Sequence, residues 1–230
     1  MDIFKPDGVI YQAISKFSNM VLLSLCWLIC CIPIVTAGAA TTALYAVCFK
    51  MIKDEDSHVA KKFFSYFKSN FRQATIVWLI MLPLGALIAW MIYLYFFGMA
   101  KVKGAADFFA VILIIVAVLY IICITYVFAC AARYENTPVQ TIKNGIFIGL
   151  KFIGRTFILL LITGAVAFVC LWNYTTMFLA VIFAPAFLCY VHSSFIMRIF
   201  ESLEKARDEE IEDEKADNRI AQMKESAERI

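Results

Sequence analysis

Four stretches of the chain contain no Asp, Glu, Lys or Arg: residues 17–49, 73–100, 108–132 and 156–197. They are 33, 28, 25 and 42 residues long, whereas about 20 apolar residues cross a bilayer core as helix. The second and third runs therefore predict one spanning helix each. The fourth predicts two, divided at Trp172-Asn173-Tyr174-Thr175-Thr176, where polar and aromatic residues gather as they do at a membrane interface. The first run leaves two readings. As one kinked helix it would be about 50 Å long, with its bend at Pro33. As a hairpin it would form two short helices, 17–32 and 38–52, turning through Thr36-Ala37-Gly38-Ala39.

The position of the cations favours the hairpin. With the N-terminus cytoplasmic, a hairpin puts 19 of the 21 Lys and Arg inside and leaves only Lys101 and Lys103 outside. One long helix changes that split to 17 and 4, and cytoplasmic loops are the ones enriched in these residues. The expected fold is an all-α polytopic membrane bundle of five to six hydrophobic helices, six by preference, with both termini cytoplasmic. A short interfacial helix over residues 9–17 leads into the first span.

Between the spans lie two basic amphipathic segments. In residues 59–72, Phe63, Phe67 and Phe71 recur at helical spacing beside Lys61, Lys62, Lys68 and Arg72. In residues 139–155, Ile142, Ile146, Leu150 and Ile153 accompany Lys143, Lys151 and Arg155. Both patterns predict helices in the headgroup layer, rings and aliphatics towards lipid and cations at anionic headgroups. At an offset of 83 residues, Lys50 aligns with Arg133, Phe64 with Phe147, Lys68 with Lys151 and Arg72 with Arg155. That register fits a parallel internal duplication, although basic residues marking every cytoplasmic end produce much of the same match.

Composition agrees with a membrane protein: 63% of residues are apolar, 17% are charged and the mean hydropathy is +0.80. The charge divides the chain in two. Residues 1–200 carry a net +8 and residues 201–230 a net −5, which predicts a membrane domain followed by an acidic cytoplasmic tail, helical and fraying towards its end. Nothing in this balance points to nucleic acid. The eight cysteines sit in apolar runs without C-x-x-C spacing and read as small hydrophobes.

Chemistry at membrane depth needs ionisable groups there, and the four runs contain only His192. It reads as a hydrogen-bonded packing residue, and His58 as a solvated one. Asp54-Glu55-Asp56 reads as a solvated turn, because three consecutive side chains do not converge on a hard ion. The expectation is therefore no enzyme, no metal and no cofactor. Small residues recur at packing intervals, as in Gly38-x3-Thr42, Gly85-x3-Ala89, Gly145-x3-Gly149 and Ala180-x3-Ala184. They predict close helix contacts within the chain.

The segment Trp27 to Tyr45, which reads WLICCIPIVTAGAATTALY, resembles the signature of the YesL-like family of bacterial integral membrane proteins (DUF624), with Pro33, Thr36, Gly38, Thr42 and Tyr45 as its marked positions. The resemblance continues in Phe63-Phe64, in Phe67 to Gln73 and around Arg133-Tyr134-Glu135-Asn136, covering residues 9–200. It implies a bacterial plasma-membrane protein without an established activity. It also implies an accessory or regulatory role beside an ATP-driven carbohydrate transporter, while the basic segments themselves point to membrane lipids as further partners. A small neutral-solute permease is the alternative, and a membrane enzyme the third reading.

Overall fold

A computed structural model describes residues 9–53, 58–99 and 105–228, and all of its regular structure is helical. The helices are α1 (Val9–Cys31), α2 (Ala37–Ile52), α3 (Val59–Leu94), α4 (Ala105–Arg133), α5 (Pro138–Lys151), α6 (Ile153–Leu171) and α7 (Tyr174–Glu228). A 3-10 turn, Ile34–Thr36, joins α1 to α2, and a π turn, Tyr95–Met99, closes α3. Six of these helices, all but α5, are long and apolar enough to cross a membrane. The turn Asp54-Glu55-Asp56 and the pair Lys101 and Lys103 lie outside the described residues.

The first apolar run is the hairpin, not the single kinked helix. Pro33 ends α1 because its ring cannot supply the next hydrogen bond. The Thr36 hydroxyl then reaches back to the Cys30 carbonyl at 2.5 Å and the Pro33 carbonyl at 2.8 Å, taking up acceptors that an ended helix leaves open. Trp27 Nε1 donates to Thr41 Oγ1 at 3.1 Å and ties the two arms together. The tip is apolar and open, with Ile32 79% exposed. Residues 9–17 do not form a separate interfacial helix, since α1 runs unbroken from Val9.

Helix α2 is the centre of the bundle: twelve of its sixteen residues are buried. Its Ala, Thr and Gly faces let α3 approach closely. A Cβ on Gly38 would overlap Trp78 and lie 2.9 Å from the Ala74 carbonyl. Helix α3 is about 54 Å long, more than a bilayer needs, and its charged first part, residues 61–72, packs along α2. Phe63 is fully buried in the core and Phe67 packs against it, while Phe64 and Phe71 are exposed. The expected lipid-facing stripe of Phe63, Phe67 and Phe71 is thus corrected. Its first two rings serve the protein core, because this part of α3 packs against neighbouring helices.

The second amphipathic segment differs in the same direction. Thr137 caps α5 by accepting from Gln140 N, with Pro138 in the first turn. The helix then folds back along α4. Gly145 sits against the Val127 backbone, and Gly149 against Ile122 and Tyr126. The buried face is Thr141, Gly145, Ile148 and Gly149; of the stripe expected towards lipid, Leu150 and Ile153 are exposed as expected, whereas Ile142 and Ile146 pack against the core. Small residues win here because they allow the closest backbone approach.

The pairs α2–α3 and α4–α5 are alike in plan, each a helix with a second folded back on it. They part at Phe152, where φ −114° and ψ 43° break α5 from α6, whereas α3 continues as one helix to Leu94 with Pro83 inside it. Helix α7 is 55 residues long, about 82 Å. It passes through residues 200 and 201 without a break and remains helical to Glu228, so membrane body and acidic tail share one rod.

Candidate functional site at the basic end of the bundle

Where α2 and α4 end, Lys50, Lys53 and Arg133 gather; this is the basic end. Arg133 is the last residue of α4 and forms a two-pronged ion pair with Glu204 of α7, Nε to Oε1 at 3.0 Å and Nη2 to Oε2 at 2.8 Å. Such forked pairing fixes geometry as well as charge. Tyr134 adds a hydroxyl that donates to Glu204 Oε1 at 3.1 Å. Beneath the guanidinium lies the Phe200 ring, 5.6 Å away, with the Tyr134 ring edge-on to it at 5.3 Å. The hydrogen bonds from Arg133 hold the Glu204 carboxyl below its ordinary value. Burial, followed by the neighbouring Glu204 charge, pushes the Tyr134 hydroxyl up to about 12.

Two hollows flank this latch. One, of about 330 Å3, is lined by Phe49, Lys50, Lys53, Tyr66, Arg133 and Met197 among others. Lys50 and Arg133, aligned with each other by the 83-residue offset, thus face the same hollow. The other, of about 590 Å3, lies between α5 and α7 and presents Asn136, Asn144, Glu204, Arg207 and Asp208. Polar groups of both signs at the foot of a projecting helix suit recognition of another molecule. The Glu204 carboxyl among them is committed to Arg133.

Deeper in the bundle, the polar groups around His192 engage one another. His192 is buried on α7, its Nδ1 3.3 Å from the Tyr45 hydroxyl and its Nε2 2.9 Å from Thr163 Oγ1. The Thr163 hydroxyl donates to the Leu159 carbonyl at 2.8 Å, so it accepts from Nε2–H. Nδ1 then accepts the Tyr45 proton. One neutral tautomer satisfies every partner, and it joins α2, α6 and α7. Thr125 turns back to its own helix at the Ile121 carbonyl and is not part of this cluster. A lateral groove of about 530 Å3 beside His192 is mainly apolar, with Trp27, Leu44, Ala184 and Leu188 in its walls.

The signature positions all have structural work. Pro33 and Thr36 make the hairpin turn, Gly38 admits α3, the Thr42 hydroxyl donates to the Gly38 carbonyl at 3.0 Å, and Tyr45 holds His192. Of the basic interface residues, Lys61, Lys68, Arg72 and Lys151 are exposed, Lys62 is half-buried, and Arg155 is half-buried at the α5–α6 break. The small-residue intervals at Gly38, Gly85, Gly145 and Gly149 do meet neighbouring helices, whereas Ala180 and Ala184 line the lateral groove. Glu204 was hidden in the sequence among eleven acidic residues of the tail; only the fold singles it out.

No curated protein and no solved structure matches the chain. A match does exist to the family model described as "Protein of unknown function, DUF624", over residues 20–92. It runs from within α1 almost to the end of α3, and so contains the hairpin, its Pro33–Tyr45 segment and the α2–α3 contact. Residues 20–92 of this multi-helix chain are thus similar to the DUF624 family, in the stretch that holds the Pro33–Tyr45 signature.

Proposed function

We propose that this protein is a non-enzymatic accessory or regulatory subunit of a carbohydrate uptake system in the bacterial plasma membrane, with its basic end and both termini in the cytoplasm. The observation that carries the accessory reading is the contrast between a committed interior and an open basic end. His192 has both ring nitrogens engaged by Tyr45 and Thr163, which leaves no free acid or base there. At the basic end, Glu204 anchors a helix that projects a further 24 residues, to Glu228, and is exposed from Lys205 to Asp213. The distribution of Lys and Arg supports the orientation, and the YesL-like resemblance supports the carbohydrate link. Exposed cations on α3 and α5 fit contact with anionic headgroups.

Purification in mild detergent, with partners identified, tests the reading. The expected result is an ATP-driven carbohydrate permease retained by the intact chain and lost when residues 201–230 are removed. Purification of the folded chain from sugar-grown cells without any such permease would contradict it. The permease alternative has the lateral groove in its favour, where Thr41, Tyr45 and His192 meet apolar walls. Sugar uptake into liposomes holding this protein alone would put that alternative first.

A further inference from the structure

We propose that the elbow between α5 and α6 binds the phosphate of one anionic phospholipid through Lys151 and Arg155. The reading is independent of any protein partner. Lys151 is the last residue of α5 and exposed, and its ammonium lies over the Phe147 ring at 5.9 Å. Arg155 stands one turn into α6 with its guanidinium over the Phe152 ring at 5.4 Å. Its Nη1 is enclosed by protein and has no hydrogen-bond partner. Nη1 itself is closed to an outside ligand, so what the elbow offers is the rest of the half-buried Arg155 guanidinium beside the exposed Lys151, and neither α5 nor α6 contains a single Asp or Glu to pair with them. A phosphate carries several acceptor oxygens and is well matched to a guanidinium.

The elbow itself is built, not frayed. The buried Thr156 hydroxyl lies 3.0 Å from the Gly149 carbonyl, 3.2 Å from the Phe152 carbonyl and 2.8 Å from the Tyr126 hydroxyl. The two cations are therefore held on a fixed bend. Around them Phe147, Leu150, Ile153, Phe157 and Ile158 are all exposed. Cations at the centre of an apolar surface call for an occupant that brings both an anionic group and acyl chains, which selects a phospholipid over free phosphate.

Native mass spectrometry of the full chain, purified in mild detergent and supplied with phosphatidylglycerol, tests the site. One tightly retained lipid per chain is expected, with retention at least tenfold lower in the double variant Lys151→Gln, Arg155→Gln. Lys215→Gln, on the exposed tail of α7, should retain the lipid as wild type does. If the double variant does not fold, Lys151→Gln alone should lower retention at least threefold, since that side chain is exposed. Wild-type retention by the double variant or, where that does not fold, by Lys151→Gln overturns the proposal, as does equal retention of phosphatidylcholine. So does displacement of the lipid by millimolar inorganic phosphate, which would make the site one for a soluble anion.

Discussion

The His192 cluster and the Glu204 latch each join α7 to the rest of the bundle, yet they do so in opposite ways. At His192, three neutral groups from α2, α6 and α7 satisfy one another within an apolar surround. At Glu204, full charges meet where side chains reach solvent, with Arg133 and Glu204 21% and 38% exposed. A buried neutral network is worth most as a specification of packing. A half-exposed ion pair contributes little stability but can be opened and remade cheaply. The difference teaches that the interior holds the shape, while the ion pair at the basic end can open at little cost.

The largest effect comes from breaking the frame that both clusters share. Gly149→Leu would drive a side chain into Ile122 and the Tyr126 ring, and overpacking of this kind costs about 3 kcal/mol. Gly164→Leu, with nothing within 4 Å of its Cβ position, should leave stability unchanged in a thermal melt in detergent. Equal melting of the two variants would remove the close α4–α5 contact from the account.

Next comes His192→Ala. It leaves the Tyr45 hydroxyl and Thr163 without their partner, at a cost of about 1–3 kcal/mol, read as a lowered melting temperature. A variant as stable as the wild type would show the cluster to be ornamental to the fold and reopen its use in binding.

The latch should be weaker and pH-sensitive. Arg133→Ala is expected to cost about 1 kcal/mol or less. Because Arg133 lowers the Glu204 pKa, the pair's contribution is complete above the ordinary glutamate value of 4.5 and is lost as pH falls through the lower folded value. The difference in melting temperature between wild type and Arg133→Ala should therefore close in that acid range and stay constant from pH 5 to 8. Smallest of all, Tyr134→Phe removes one hydroxyl from Glu204, at about 0.5 kcal/mol, with the Arg133 fork intact.

Much of this architecture was legible in the residues. Charge-free runs locate the helices because desolvating a charge is what a membrane penalises most. Pro33 with Thr36 and Gly38 marks the hairpin, and Trp172-Asn173 the last turn. The periodicity of the two basic segments was visible, but not which face would be covered. Phe63 and Phe67 read equally well towards lipid or protein, since both are apolar media, and only the nearness of α2 decides between them. Gly145 and Gly149 carry no hydropathy signal, but their four-residue spacing did mark a close contact, and shape rather than hydropathy sets the face of α5 that packs. Glu204 is one carboxylate among many until α7 is placed beside α4.

The central claim, that α7 is structural at His192 and functional at Glu204, has a direct measurement. Partner retention in mild detergent would be quantified for wild type, His192→Asn and Arg133→Ala, each first shown to be folded. The account predicts that His192→Asn keeps the ATP-driven permease at wild-type level while Arg133→Ala loses at least tenfold of it. Retention by Arg133→Ala with loss in His192→Asn would contradict the account and move the working surface into the membrane.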